Sequence, residues 1–163
     1  MKFSQLGVIA CMVAGLSTSM VAQDFDYDIH LGVLNFNMKD GDKGANFNIG
    51  YGVTKKFESG IIMGVSGDLE YTRIQRQGVY SLGGDLKLGY NVWDKLNLYA
   101  IGGYKIQNID DTTGYGFGYG AGIEYPITQR VWASFEYKTY AMTCSDRNDY
   151  DFSTAGFKLK YTF

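Results

Sequence analysis

The stretch from Gly114 to Ile127, GYGFGYGAGIEYPI, constrains the fold more than any other. Its odd positions, Tyr115, Phe117, Tyr119, Ala121, Ile123, Tyr125 and Ile127, are all apolar or aromatic. Its even positions are glycine up to Gly122, followed by Glu124. A period of two places every apolar side chain on one face of a β-strand. In a soluble sandwich, glycines on the opposite face would weaken the strand for no gain. In a small closed barrel in a membrane the aromatic face meets lipid, and the glycines leave room for long polar side chains crossing a narrow lumen.

Other segments repeat the alternation and predict seven further strands. The first is Tyr27 to Phe36, with Tyr27, Ile29, Leu31 and Val33 outward, Asp28, His30 and Gly32 inward, and a blurred pattern beyond Val33. Next come Ala45 to Thr54, Gly60 to Arg73 (Ile62 an inward exception) and Val79 to Val92. Leu96 to Gln107 follows, with Tyr99 and Ile101 on the inner face. After the glycine-rich strand come Val131 to Tyr140 and Phe152 to Phe163. The connections after the second, fourth and sixth strands are short: Lys55 to Ser59, Asn91 to Lys95 and Pro126 to Arg130. Those after the first, third, fifth and seventh read as polar and mostly longer: Asn37 to Gly44, Ile74 to Gly78, Asn108 to Thr113 and Ala141 to Asp151. Bacterial barrels keep short turns in the periplasm and longer loops outside, so both termini are expected on the periplasmic side.

Composition fits this pattern. The 163 residues suit one domain, with 14 Tyr, 10 Phe and 22 Gly against a single Pro. Mean hydropathy is −0.17, and past residue 22 no apolar run approaches the ~20 residues of a membrane helix. Barrel strands average out in such a measure. Residues 1–22 read as a cleavable signal peptide: Lys2, an apolar run from Leu6 to Leu16, and a small-residue exit ending at Ala22, with Met20 an imperfect fit before the cut. A lipoprotein-type reading at Cys11 would leave only ten residues before the cysteine, and the apolar run continues after it. Residues 23–163 form the expected barrel domain, with 14 of the 15 basic residues, all 17 acidic ones and hence net charge −3. No basic block suggests nucleic acid. Cys144 is alone in this part, which excludes an internal disulfide.

The sequence therefore predicts an all-β chain, an eight-stranded antiparallel up-and-down transmembrane β-barrel. The competing fold is a soluble lipocalin-like barrel with its aromatics turned inward. That fold would put Asp68, Glu70, Asp85, Lys87, Glu124, Glu136, Lys138, Lys158 and Lys160 outside. The leader, the tyrosine-rich strand ends and the terminal phenylalanine favour the membrane.

At the C-terminus Phe157, Leu159, Tyr161 and Phe163 resemble the signature by which the outer-membrane assembly machinery recognises barrel substrates. The segment Gly120 to Tyr140, GAGIEYPITQRVWASFEYKTY, resembles the penultimate hairpin of OmpA/OmpX-type small barrels. The resemblance implies a location in the cell outer membrane of a Gram-negative type envelope. It implies as partners outer-membrane lipids, lipopolysaccharide and the assembly machinery, engaged through the C-terminal strand. A monomer is expected. It does not fix function, because that family hosts anchors, adhesins, narrow channels and a few enzymes.

Ten charges point inward and nearly balance: Asp68, Glu70, Asp85, Glu124 and Glu136 against Lys87, Lys105, Lys138, Lys158 and Lys160. Charges in a narrow lumen require pairing, so the expected arrangement is a salt-bridged plug that fixes register and supports a structural or surface-interaction role. The alternative is a porin-like, narrow small-solute channel in which the pairs rearrange. A lipid A-modifying enzyme is the remote reading. Nucleophilic catalysis needs a base beside a serine, but the only histidine, His30, falls early in the first strand and faces the lumen near Asp28. No enzyme activity, catalytic residue, cofactor or metal is expected. Asp110, Asp111, Asp146, Asp149 and Asp151 could bind cations bridging lipopolysaccharide, yet loop acids are usually solvated. Trp93 and Trp132 read as interface anchors, with Trp132 on the inward parity and able to cap the lumen. Cys144 is expected in the longest outer loop, its thiol incidental.

Overall fold

The structure is a computed structural model and describes residues 25–163 apart from 40, 75–76, 94, 110–111 and 145–147. The leader expected over residues 1–22 lies outside the described residues. Alternating sequence becomes eight strands: β1 (Asp26–Met38), β2 (Lys43–Lys56), β3 (Ile61–Ile74), β4 (Gln77–Val92), β5 (Leu96–Ile109), β6 (Thr112–Pro126), β7 (Val131–Cys144) and β8 (Tyr150–Thr162). Each pairs antiparallel with its neighbour in sequence, and β1 pairs with β8 from Asp28↔Thr162 to Met38↔Phe152, which closes the barrel. Closure leaves no unpaired edge, the condition a sheet must meet in hydrocarbon. Both described chain ends lie at one end of the barrel, where the Phe163 amide donates to the Tyr27 carbonyl at 3.0 Å. We call this the terminus end and the other the hairpin end.

The strand stagger follows from the register. Paired residues lead from Val33 through Phe47, Tyr71, Tyr80 and Asn108 to Thr113 on β6. In the other direction they lead through Phe157 and Phe135 to Ile123, ten residues further along the same strand. Such a stagger in an eight-stranded barrel tilts the strands by roughly 40°, and the interior is just wide enough for side chains to fill.

Burial follows the predicted parity. Outward residues such as Leu31, Leu86, Phe117, Tyr119 and Phe157 are exposed, while Asp68, Glu70, Asp85, Lys105, Glu124, Glu136, Lys138 and Lys158 are buried inside. Ile62, Tyr99 and Ile101 are buried on the inner face as expected.

Three expectations fail, and they share a cause. The strands run to 13–16 residues, where the predicted spans are 10–14 and a spanning segment needs ~9–11. Segments expected as loops after the third and fifth strands are largely sheet: Ile74 pairs with Gln77, and Asn108 with Thr113, leaving 75–76 and 110–111 as the connections. Cys144 ends β7 rather than lying in a loop, and only 145–149 separate β7 from β8. The connections at the terminus end, 57–60, 93–95 and 127–130, are no shorter as a group. Polar residues at strand ends that clear the bilayer look like loop residues, yet they continue the hydrogen-bond ladder. The expected contrast of short turns and long loops is absent, and loop length no longer orients the barrel.

Candidate functional site: the barrel lumen

Pairing is complete among the ten predicted inward charges. Lys105 Nζ meets Glu70 Oε2 at 2.7 Å, Lys138 Nζ meets Asp85 Oδ2 at 2.7 Å, and Lys87 Nζ meets Glu136 Oε1 at 2.6 Å. Lys158 Nζ lies 3.1 Å from Asp68 Oδ1 and 3.0 Å from Glu136 Oε2, and Lys160 Nζ lies 2.8 Å from Glu124 Oε2. Apart from Lys158–Glu136, each of these bonds joins strands that are not neighbours in the sheet: β3 to β5, β4 to β7, β3 to β8 and β6 to β8. The side chains cross the lumen as struts. Neutral donors add to the carboxylate shells, with Asn46 donating to Glu70, Asn48 to Asp68, Asn97 to Glu124 and the Tyr99 hydroxyl to Glu136, while Asp68 Oδ2 and Glu136 Oε2 accept no hydrogen bond.

Asp28 and His30 join this network. The His30 ring has Nδ1 3.0 Å from Asp28 Oδ1 and Nε2 2.9 Å from Asp68 Oδ1. A neutral imidazole has one N–H and can serve only one carboxylate, whereas the imidazolium donates to both. In that form six carboxylates face six cations, and the lumen is neutral. With both ring nitrogens engaged, His30 has neither free for a nucleophilic serine.

An apolar layer was missed in the sequence. At the hairpin end Phe36, Ile74, Val79, Tyr140, Met142 and Phe152 form a buried cluster inside the barrel. The Phe152 ring stacks on Phe36 at 4.7 Å and on Tyr140 at 5.1 Å. Lys105 Nζ lies 4.3 Å from the Tyr140 ring centre, joining this layer to the ion pairs below. Its signal was present: Ser134, Glu136 and Lys138 are inward, and the same parity continues to Tyr140 and Met142. Above the cluster is a recess of about 160 Å³ lined in part by Ile109, Cys144 and Tyr150.

Two of the strand-six glycines serve a different purpose from the one expected. A methyl group on Gly118 would strike the Tyr140 ring, and one on Gly122 would come within 2.6 Å of the Tyr99 ring. These two make room for inward tyrosines, whereas Gly120 lies against the β7 backbone and, as expected, a long polar side chain, that of Lys138. At the terminus end Trp132 caps the lumen, with Lys56 Nζ 4.0 Å and Lys160 Nζ 5.5 Å from its ring centre. Trp93 projects into the surroundings from its turn, 83% exposed. Between the caps remains a cavity of about 30 Å³, lined by His30, Lys87, Glu124 and Lys158 among others. That volume holds a water molecule or two.

The two loop acids among the described residues do not come together. Asp149 accepts the Cys144 amide at 3.3 Å, and Asp151, in β8, pairs with Lys39 at 3.3 Å. Asp110, Asp111 and Asp146 lie outside the described residues. Among the described residues no three or more His, Cys, Asp or Glu side chains group as metal ligands.

A closed wall, apolar outside and charged within, defines a membrane-spanning barrel. The chain belongs to the family described as outer membrane protein beta-barrel domain, matched over residues 8–163, and the outer membrane is its place. No curated protein sequence matches it. Its fold is similar to that of Neisserial surface protein A (TM-score 0.66, 11% identity, 88% of this chain and 100% of that one). It is also similar to Ail, the attachment invasion locus protein of Yersinia pestis (TM-score 0.60, 12% identity, 88% and 100%). The outer membrane enzyme PagL shares the fold as well (TM-score 0.55, 9% identity, 81% and 98%). At these identities the likeness concerns the fold alone.

Proposed function

We propose that this protein is a closed, non-conducting and non-enzymatic barrel with a structural role in the outer membrane, presenting its hairpin end to the cell surface. The observation that carries this reading is the double closure of the lumen. A layer of braced ion pairs fills the middle, and the Phe36–Phe152–Tyr140 stack seals the hairpin end. Neither layer alone leaves a continuous water path. The short connections favour a structural role over one built on long surface loops.

The C-terminal residues Phe157, Leu159, Tyr161 and Phe163 all face outward and present the proposed assembly signal along the outer face of β8. The chain works as a monomer among outer-membrane lipids and lipopolysaccharide, and its termini face the periplasm, from which the assembly machinery receives it.

Conductance tests the closed lumen. Pure folded protein in planar bilayers shows no sustained current, only rare small events. Steady single-channel steps whose size changes with Glu136→Gln would replace the plug with a narrow channel.

A further inference from the structure

The apolar band on the outside of the barrel is not of even height. On β4 the outward residues are apolar or glycine from Tyr80 to Tyr90, and on β6 from Tyr115 to Tyr125. Ten residues of a strand tilted by roughly 40° climb about 25 Å, the usual height of a barrel's lipid face. On β1 the outward apolar run is only Tyr27 to Val33, and Asn35 and Asn37 follow. On β7 it is Val131 to Tyr137, followed by Thr139. Six residues at that tilt climb about 15 Å. Between these strands β8 places Ser153 outward, paired with both Asn37 and Thr139.

Register turns these runs into heights. Each step along a row of paired residues climbs about 3 Å at this tilt. Val33 and Tyr80 share a row three strands apart, so the apolar band ends about 9 Å lower on β1 than on β4. Asn35, Asn37, Thr139 and Ser153 therefore stand at a level where the rest of the wall carries Tyr71, Ile106 and Phe117. The seam beneath them is fully paired from Asp28 to Met38, so the patch is not a gap in the wall. Its side chains point away from the lumen.

We propose that the β7–β8–β1 flank binds lipid headgroups, and that the leaflet at the hairpin end is drawn in along it by about 9 Å. Amides and hydroxyls held in hydrocarbon would lose their partners, a larger cost than bending the adjoining leaflet, because mismatch energy per ångström is small. The Thr139 hydroxyl already donates to the Phe152 carbonyl at 3.3 Å; sugar, phosphate and ester groups supply donors and acceptors to the Asn35, Asn37 and Ser153 side chains beside it. The inference rests on the barrel spanning a bilayer and is independent of whether its lumen conducts.

Matched spin labels test it. Phe117 on β6 is level with Asn35: three steps down the row from Asn35 reach Ala121, and four residues up the strand restore the height. Tyr27 and Tyr125, eight residues below each, are level with one another. With Cys11 and Cys144 replaced by serine, Asn35→Cys, Phe117→Cys, Tyr27→Cys and Tyr125→Cys each carry a nitroxide in phosphatidylcholine vesicles. Collisions with a water-soluble nickel chelate should dominate at position 35 and collisions with oxygen at 117, with 27 and 125 reading the same depth. Adding Thr139→Val and Ser153→Ala should lower chelate contact at 35. Equal chelate-to-oxygen ratios at 35 and 117 overturn the proposal. Unequal depths at 27 and 125 would mean that the whole barrel tilts instead. Dipolar broadening at 35 would mean a second copy covers the flank, and either result also overturns it.

Discussion

Lys87 and Glu136 sit on strands three places apart in the wall, β4 and β7, and their charged atoms meet inside at 2.6 Å. Glu136 is fully buried and also receives Lys158 and the Tyr99 hydroxyl. One carboxylate thus ties β4, β5, β7 and β8 together.

Glu136→Gln removes the charge that holds one buried ammonium group, on Lys158, and one partly buried one, on Lys87. Breaking a buried pair by deleting one partner costs about 3–5 kcal/mol, mostly because the surviving charge is stranded. The fold should lose stability by about 3 kcal/mol in urea unfolding from lipid vesicles. Asp151→Asn, which breaks only the exposed pair with Lys39, should change it by less than about 0.5 kcal/mol.

Phe152→Ala empties the middle of the hairpin-end stack. Loss of a buried phenylalanine costs about 3–5 kcal/mol through transfer and cavity terms. The same variant should still pass no current in planar bilayers, because the ion-pair layer beneath is intact. A stable current from it would show that the aromatic layer alone closes the lumen.

Ala121 lies mid-strand in the tall part of the lipid face, paired with Ala100 and Tyr137. Ala121→Arg should destabilise by about 2–4 kcal/mol, the effect of arginine at a bilayer midplane. Gln129→Arg, in the exposed connection between β6 and β7, should be nearly silent in the same lipid-reconstituted unfolding.

Cys144, half-exposed at the end of β7, reports orientation. A membrane-impermeant maleimide should label it on intact cells, with little gain on permeabilisation. Labelling that needs an opened outer membrane would put the hairpin end in the periplasm.

The wall was legible in the sequence because period two is a local property, and a buried lysine such as Lys105 or Lys138 declared its side of the sheet by parity alone. Which lysine meets which carboxylate was not legible. Lys158 finds Asp68 ninety positions away, a pairing set by stagger and closure rather than by neighbours. Leu34 and Phe36 erased the alternation by being apolar on the inner face, where polar residues were expected. Their partners Tyr140 and Phe152 lay at the limits of predicted strands, and Met142 fell inside a predicted polar loop. An apolar cap inside a polar lumen inverts the rule that revealed the rest of the barrel.

The cross-lumen struts have a consequence for the order of assembly. Neighbouring strands meet through short connections, so hairpins can zip up from local contacts. The struts link residues 35, 49, 53 and 90 positions apart on strands that do not touch, and their loop-closure entropy is recovered only when β1 finds β8. Until then Lys138 lacks Asp85 across the lumen, has only Glu136 on its own strand for an ion pair, and must stay wet. Water therefore leaves the interior at the last step, and the chain commits to its final diameter in the same event that makes it insoluble outside a membrane.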